Sequence, residues 1–430
     1  MKRILNTIDL FAGCGGLTDG FRQTGHFKTI GAVEWEAVPV LNLRLRMQNR
    51  WGMMDADERI MQFDIQRTDD LFEGWKNDPI YNSGKGLDFY VRRIKDLDVI
   101  VGGPPCQAYS IAGRVSNENS LKVRNVREDY RNYLFESYMS VVQRYRPKAF
   151  IFENVPGLLT ATVGDRRENG EKTYGIEVIE LIKKQFQIAG YTILNNLRGA
   201  LIDFSEYGVP QYRDRIIILG INKQYYGSAT STHMVEEFYS KYLPRYKTEQ
   251  IATVRDAIGD LPPLVPTGTT ITENGQRTAH SLPAIPIDHH VARWHSQRDI
   301  NIFRMLTEDI STGNCRYVSI EALKRVYTEQ TGRESNVHKY HVLRWDEPSN
   351  LIPAHLYKDG LRHIHPDPLQ SRSITIREAA RIQTFDDDYV FYGKSMAIYK
   401  MIGNAVPPKF AKCCGYALYN LLRDYEGKKK

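Results

Sequence analysis

Apolar and polar residues occur in blocks along the first half of the chain, with glycine and proline turns between the blocks. Five blocks are rich in β-branched and aromatic residues, which is typical of buried strands. These blocks are Ile4 to Phe11, Phe27 to Val33, Leu97 to Val101, Ala149 to Phe152, and Arg215 to Ile221. Between them, apolar residues three or four apart predict helices, such as Leu134 to Tyr145 before Pro147. The alternation predicts an α/β fold with a doubly wound, mostly parallel sheet.

This alternation stops after Ile221, where prolines become frequent and no regular order of strands and helices can be read. A helical pattern returns over Ile376 to Phe385, and a closing helix is predicted from Phe410 to about Arg423. The chain is also longer than one hydrophobic core usually organises. We therefore predict a main domain over residues 1–221, a second, smaller and irregular domain over 222–390, and a segment over 391–430 that returns to the main domain.

Composition adds weak constraints. Lys and Arg number 58 against 51 Asp and Glu, and the net charge of +7 suggests a polyanionic partner without requiring one. The five cysteines form no CxxC pair, which argues against a disulfide framework and against a metal site built on paired thiols. Asn6 and Asp9 interrupt the first apolar stretch, so we predict neither a signal peptide nor a membrane span and expect a cytoplasmic protein.

The first strand runs into a glycine turn formed by Gly13, Gly15 and Gly16. Glu34 follows Gly15 by 19 residues, where an acid that binds a ribose belongs. This spacing predicts a nucleoside-type cofactor, although a nicotinamide dinucleotide, or a turn needed only for packing, fits the same residues. Trp35 could stack on an adenine ring or belong to the core.

A second turn places Cys106 directly after Pro104 and Pro105, at the end of a predicted strand. Such a position suits an exposed nucleophile better than a structural cysteine, which usually lies within a strand or helix. Glu153 ends the next strand, and Arg213 and Arg215 alternate so that both can project from one face. A carboxyl group and a guanidinium can bind the edge of a pyrimidine. Their alternative interpretations are a capping acid, a bridge to a lysine, and an ordinary surface ion pair.

Taken together, these segments resemble the cytosine-5 DNA methyltransferases of bacterial restriction-modification systems. The resemblance is ordered and spans most of the chain outside residues 222–340. The matching segments are Asp9 to Gly16, Gly102 to Gln107, Glu153 to Val155, Gln211 to Arg215, Arg377 to Gln383, and Gly403 to Pro408. One departure is Phe63, which stands before Asp64 where the family more often has glycine.

The resemblance implies a Rossmann-like catalytic domain that binds the methyl donor S-adenosylmethionine and releases S-adenosylhomocysteine. Within it, Glu34 would hold the ribose, Trp35 and Asp64 would meet the adenine, and Phe11, Gly15 and Asn404 would lie near the methionine end. The full set of implied cofactor-binding residues is Phe11, Gly13, Gly15, Gly16, Glu34, Trp35, Asp64, Ile65, Pro104, Leu134, Asn404 and Val406.

The same resemblance implies catalysis by Cys106, Glu153, Arg213 and Arg215. The Cys106 thiolate would add to carbon 6 of the cytosine, Glu153 would hold ring N3 and the amine, and Arg215 would contact the ring oxygen. Arg213 would brace the site or bind a phosphate. The target cytosine must leave the duplex for this chemistry, and residues 107–131 have the composition of a loop that closes over it.

The implied partner is double-stranded DNA, bound by a monomer, with a restriction endonuclease as a separate partner of the same system. Residues from about 222 to 371 would recognise the target sequence. Ten of the eleven histidines lie between His233 and His365, and we interpret them as surface or base-contacting residues rather than metal ligands. The alternatives are a tRNA methyltransferase of the same fold, a non-catalytic DNA-binding regulator, and a nicotinamide oxidoreductase.

Overall fold

The computed structural model describes most of the chain as two compact units. The described residues are 3–105, 134–163, 166–168, 171–173, 176–273, 275–337, 339–358 and 360–427. Unit 1 comprises Met1–Tyr207, Asp214–Thr248 and Val406–Lys430, and unit 2 comprises Gly208–Arg213 and Glu249–Ala405.

The junctions between the units differ from the predicted domain limits at residues 221 and 390. The helix Ser228–Glu237 packs on the strand Asp214–Asn222, so the chain stays with unit 1 as far as Thr248. Residues 391–405 belong to unit 2. The roles predicted for the two domains remain predictions.

Sixteen strands are present in the described residues. They are β1 Leu5–Leu10, β2 Phe27–Glu34, β3 Ile60–Gln62, β4 Trp75–Asp78, β5 Asn82–Gly84, β6 Val99–Gly102, β7 Ala149–Asn154, β8 Thr162–Val163, β9 Arg166–Glu168, β10 Glu171–Thr173, β11 Ile176–Glu177, β12 Tyr191–Thr192, β13 Leu201–Asp203, β14 Asp214–Asn222, β15 Pro266–Glu273 and β16 Gln276–His280.

The central sheet of unit 1 has the strand order β12-β14-β7-β6-β1-β2-β3, with β13 also paired to β14. The five strands from β7 to β3 are parallel, and β14 runs antiparallel to β7. The apolar side chains of β1, β6 and β7 are buried, as expected where helices cover both faces of a parallel sheet. The predicted α/β fold with a mostly parallel sheet is confirmed.

Helices cover this sheet and build much of unit 2. Their ranges are Gly16–Gln23, Ala37–Asn49, Ala56–Arg59, Thr68–Glu73, Gly86–Val91, Leu134–Tyr145, Val178–Ile188, Lys223–Tyr226, Ser228–Glu237, Val254–Ile258, Gln297–Ser311, Ile320–Thr331, Ile376–Ile382, Ser395–Asn404 and Pro408–Gly427. Short 3-10 turns cover Pro156–Thr160, Leu197–Ala200, Phe204–Tyr207 and Leu243–Tyr246, and a π turn covers Phe238–Tyr242. In the part of the chain that the structure describes, no helix has the length and apolar character needed to cross a membrane.

Unit 2 contains more helix than its sequence pattern predicts. The helix Gln297–Ser311 buries Ile300, Phe303 and Leu306, which lie three residues apart, and it packs with Leu323 and Val326 of the next helix. The irregular appearance of this region comes from long connections, among them the β15–β16 hairpin.

Five histidines of unit 2 are buried, which corrects the prediction that they are surface or base-contacting residues. They are His280, His290, His295, His363 and His365, each at most 5% exposed. At least one ring nitrogen of each bonds to a neighbouring group, for example His290 to the Thr375 hydroxyl at 3.1 Å and His295 to the Ser373 hydroxyl at 3.0 Å. Nδ1 of His280 and Nδ1 of His363 have no partner in the described part of the chain. Among the described residues no His, Cys, Asp and Glu group could hold a metal ion.

Four of these histidines, His280, His290, His295 and His365, contact residues 370–378, which hold a buried ion pair. Both guanidinium amino groups of Arg372 donate to the Glu378 carboxylate, at 2.7 and 2.6 Å, and both side chains are fully buried. Glu378 also closes a capping box with Thr375 at the start of the helix Ile376–Ile382. Burial lowers the pKa values of His295, His363 and His365 to about 3 and that of His280 to about 4, so these rings are neutral in the folded protein.

Candidate active site

The candidate site lies at the carboxyl ends of the parallel strands of unit 1. Strands β1, β2, β6 and β7 run in one direction, so Phe11, Glu34, Gly103 and Glu153 meet at one edge of the sheet. Ligands of doubly wound sheets bind at this edge. The topology therefore collects the predicted site residues of unit 1 that lie at the ends of these strands.

The glycine turn after β1 has a backbone that other residues rarely adopt. Gly13 and Gly15 have φ values of 54° and 88°, and Phe11 before them has a φ of 60°. A β carbon at Gly16 would collide with the carbonyl oxygen of Val406, whereas the space beside Gly13 is open among the described residues. Gly16 is therefore required for packing, and the open side of Gly13 leaves room for a ligand to approach the backbone.

Glu34 joins the end of β2 to this turn. Its Oε2 accepts a hydrogen bond from the Gly13 amide at 2.9 Å, and its Oε1 accepts one from the Glu36 amide at 2.8 Å. Burial raises the pKa of Glu34, while the amides of Glu36 and Gly13 lower it. A carboxylate has about four acceptor sites, so Glu34 retains capacity for ligand hydroxyls.

Trp35 and Asp64 follow two neighbouring parallel strands whose register pairs Glu34 with Gln62. Trp35 is 55% exposed, so the alternative that it belongs to the core is wrong. Asp64 is half-buried, and its Oδ1 accepts a hydrogen bond from the Gln66 amide at 3.0 Å. Ile65 is buried beside it. An exposed aromatic face and a carboxylate thus lie at adjacent strand ends.

Asp9, in the glycine segment, has a feature that the sequence analysis did not identify. It is buried, its Oδ2 accepts a hydrogen bond from the Thr18 hydroxyl at 2.5 Å, and its Oδ1 has no partner in the described part of the chain. Burial raises its pKa to about 7. The sequence shows an aspartate shortly before the glycine turn, but it does not show that this aspartate is buried.

The turn after β6 is anchored to the strand that carries Glu153. Gly102 pairs with Phe152, and the Asn154 amide donates to the Pro104 carbonyl oxygen at 3.3 Å. A β carbon at Gly103 would collide with the Glu153 carboxylate, so the turn passes close to that side chain. Cys106 and residues 107–131 lie outside the described residues.

Glu153 forms an ion pair with Arg215, with 3.0 Å between Oε1 of Glu153 and Nε of Arg215. The side chains are 14% and 11% exposed, so this is not the surface ion pair, the capping acid or the lysine bridge considered as alternatives. Burial lowers the pKa of Arg215, and the Glu153 carboxylate opposes that shift. The arrangement is a largely dehydrated pair that can offer both a negative and a positive group to a ligand.

Arg213 belongs to unit 2, whereas Arg215 belongs to unit 1. Its guanidinium is 2% exposed and donates to the carbonyl oxygens of Ile352, Gly403 and Ala405 at 3.3, 3.0 and 3.1 Å. These bonds favour the bracing role over contact with a phosphate, because a phosphate would have to displace them.

The remaining predicted cofactor residues lie on three different elements. Leu134 is the first residue of its helix in unit 1 and is buried. Val406 is buried in unit 1, with its carbonyl oxygen against Gly16. Asn404 is the exposed last residue of the helix Ser395–Asn404 in unit 2.

Comparisons with known proteins agree over almost the whole chain. A family model described as C-5 cytosine-specific DNA methylase matches residues 5–420. Type II methyltransferase M.Bpa9945I of Bacillus paralicheniformis is 32% identical, over 97% of this chain and 99% of that protein. Type II methyltransferase M.AgeI of Thalassovita gelatinovora is 27% identical, over 94% and 96% of the two chains.

Two solved structures share the fold. A candidate DNA modification methyltransferase encoded within an E. coli prophage has a TM-score of 0.60 at 22% identity, over 97% of this chain and 99% of that one. The S. pombe Dnmt2 methyltransferase has a TM-score of 0.53 at 12% identity, over 98% and 99%.

Proposed function

The chain belongs to the C-5 cytosine-specific DNA methylase family, and from this premise we propose that it methylates flipped cytosines through a covalent Cys106 adduct. It is a DNA methyltransferase of the kind found in type II restriction-modification systems. The finer proposal concerns the methyl donor, the residues and the mechanism. The observation that carries it is the buried Glu153–Arg215 pair beside the turn that leads to Cys106.

S-adenosylmethionine is the proposed methyl donor. The open side of Gly13 accommodates a close ligand, Glu34 keeps acceptor capacity for ribose hydroxyls, and Trp35 offers an aromatic face to an adenine. The positively charged sulfur of S-adenosylmethionine would supply an electrophilic methyl group. These three features fit a nucleoside cofactor, and the family membership favours a methyl donor over a nicotinamide dinucleotide.

In the proposed reaction the Cys106 thiolate bonds to carbon 6 of the cytosine, which makes carbon 5 nucleophilic. Glu153 holds the proton that pairs with ring N3, and Arg215 binds the ring oxygen, so negative charge that develops on the ring is stabilised. Carbon 5 takes the methyl group and then loses its proton to a base, and the bond to sulfur breaks. The products are 5-methylcytosine and S-adenosylhomocysteine.

This proposal is tested with two duplexes and the purified full chain. We expect radioactive methyl groups to pass from S-adenosylmethionine to duplex DNA, and bisulfite sequencing to locate them at one recurring sequence. On a duplex with 5-fluorocytosine at that position, the enzyme should remain covalently attached, because fluorine cannot leave as the carbon 5 proton does. Labelling of tRNA instead of duplex DNA, or the absence of a trapped complex, contradicts the proposal.

Replacement of Glu153 by glutamine should lower kcat by about a hundredfold or more, the usual scale for a lost acid–base group. Glutamine keeps the shape but removes the charge that pairs with Arg215, and its amide cannot take up a proton and transfer it to ring N3. Single-turnover methyl transfer measures the rate, and a filter-binding assay checks duplex affinity. Glu180→Gln is the matched control, because Glu180 pairs with Lys183 on the exposed face of a helix. Equal rates for Glu153→Gln and the wild type contradict the assignment.

A further inference from the structure

The carboxyl end of the helix Ser395–Asn404 is capped by a buried glutamine of unit 2. The last carbonyl groups of a helix lack the amide partners that the helix interior provides. Nε2 of Gln383 donates to two carbonyl oxygens at this end, to that of Ile402 at 2.6 Å and to that of Ala405 at 3.1 Å. Gln383 is fully buried and directly follows the helix Ile376–Ile382. None of the roles assigned above uses this side chain.

A second buried glutamine, Gln211, fixes the orientation of the Gln383 amide. Nε2 of Gln211 donates to Oε1 of Gln383, and Oε1 of Gln211 accepts a hydrogen bond from the Ile352 amide at 3.0 Å. A backbone amide can only donate and a carbonyl oxygen can only accept, so these bonds must run in one order. The amino group of Gln383 therefore faces the end of the helix.

Arg213 and the backbone of Pro353 hold the same helix end. The Arg213 guanidinium donates to the carbonyl oxygens of Gly403 and Ala405, so the Ala405 oxygen accepts two side-chain hydrogen bonds. A β carbon at Gly403 would collide with the Pro353 carbonyl group, because the helix packs closely there. The backbone at the end of this helix is therefore held both by hydrogen bonds and by packing.

Asn404 is the exposed last residue of this helix. The carbonyl oxygens of its neighbours Gly403 and Ala405 are both bonded, so its backbone has little freedom. We propose that Gln383 is a positioning residue for the methyl donor, because it holds the helix end that carries Asn404. The inference rests on the proposed function, in which S-adenosylmethionine is the donor and Asn404 lies near its methionine end. A backbone that is held before the ligand arrives strengthens binding, because less freedom is lost.

The test replaces the amide by an apolar side chain of similar length, in the variant Gln383→Met. The carbonyl oxygens of Ile402 and Ala405 then lose a donor, and the helix end is held less firmly. We expect the Kd and KM for S-adenosylmethionine to rise about three- to tenfold, the scale of one lost hydrogen bond, with kcat within about twofold of the wild type. Isothermal titration calorimetry and steady-state kinetics at saturating duplex measure these quantities. Gln383→Glu, which keeps an acceptor for Gln211 but lacks the amide donors, replaces Gln383→Met if that variant does not fold.

Thr307→Val is the matched control for the loss of a buried donor in unit 2. Thr307 is fully buried in the helix Gln297–Ser311, and its hydroxyl donates to the carbonyl oxygens of Phe303 and Arg304 at 2.7 and 3.0 Å. Valine keeps the shape and removes both bonds. We expect the Kd and KM for S-adenosylmethionine to remain at the wild-type values. A rise equal to that of Gln383→Met would indicate a general loss of structure and would overturn the inference.

A double-mutant cycle with Asn404→Ala links the effect to the residue that Gln383 is proposed to hold. Asn404→Ala alone should raise the Kd by at least as much as Gln383→Met. In the Asn404→Ala background, Gln383→Met should have no further effect, because the side chain through which it acts is gone. Equal losses in both backgrounds, an unchanged Kd in either single variant, or a fall in kcat alone overturns the inference. If the wild-type chain does not bind S-adenosylmethionine at all, the proposed function fails instead, so the two failures are distinguishable.

Discussion

We expect the Cys106→Ala protein to transfer methyl groups at least about a thousandfold more slowly than the wild type, because the proposed covalent step would be lost. Carbon 5 of an unactivated cytosine is a poor nucleophile, and three of the four thiols in the described residues are unsuited to the role. Cys14 and Cys414 are buried, and burial raises the pKa of Cys413 to about 11, so it remains protonated. Single-turnover assays with radioactive donor measure the rate.

Cys315→Ala is the matched control for this loss. Cys315 is an exposed thiol in unit 2, and its removal should leave the rate and the trapping on 5-fluorocytosine unchanged. The Cys106→Ala protein should still bind duplex and methyl donor, as measured by filter binding and calorimetry, but should form no trapped complex. A residual rate above a tenth of the wild-type rate would falsify the covalent mechanism.

Acid should destabilise unit 2 well before the carboxylates of the protein are protonated. The pKa values of His280, His295, His363 and His365 are about 3 to 4 in the folded state and about 6.5 when unfolded. Between these limits the unfolded chain binds protons that the folded chain excludes, so stability is fully present above pH 6.5 and declines as the pH falls. At pH 5 each histidine costs about 2 kcal/mol, and four reach the scale of a domain's whole stability.

Hydrogen–deuterium exchange on peptides of unit 2, at pH 7 and pH 5 after correction for the intrinsic rate, measures this loss. Below pH 4.5 Glu378 adds to it, because the Arg372 guanidinium helps to hold the pKa of that carboxyl well below its usual range despite burial. His295→Gln should lower the number of protons taken up when unit 2 unfolds by about one. His233→Gln, which lies in unit 1 and whose side chain is 63% exposed, should leave the exchange of unit 2 peptides unchanged. Equal protection at both pH values contradicts the prediction.

The parallel part of the sheet could be predicted from the sequence because its strands carry uninterrupted apolar runs. Strand β6 lies at Val99–Gly102 against a prediction of Leu97 to Val101, and β14 lies at Asp214–Asn222 against Arg215 to Ile221. An uninterrupted apolar run indicates that both faces of a strand are buried, but it does not indicate the residue at which pairing with the neighbouring strand ends.

The site was predictable where a local motif determines it and was not where distant residues meet. The glycine turn and Glu34 follow from spacing, and the structure joins them through the Gly13 amide. The hairpin formed by β4 and β5 depends on packing between Phe63, Trp75 and Tyr81, which no spacing reveals. The burial of the five histidines could not be predicted from the sequence, because a neutral imidazole can be buried when a hydrogen bond satisfies at least one of its nitrogens.

Unit 1 is assembled from three separated stretches of chain. The last stretch, residues 406–430, is translated long after the glycine turn that it packs against. The helix Pro408–Gly427 packs along the helix Gly16–Gln23, and the Val406 carbonyl oxygen supports Gly16. A nascent polypeptide still held in the ribosome beyond residue 405 lacks this support, although its glycine turn was translated almost 400 residues earlier. Such long-range closure slows folding. The glycine turn therefore gains its packing partners only after residues 406–427 have been synthesised.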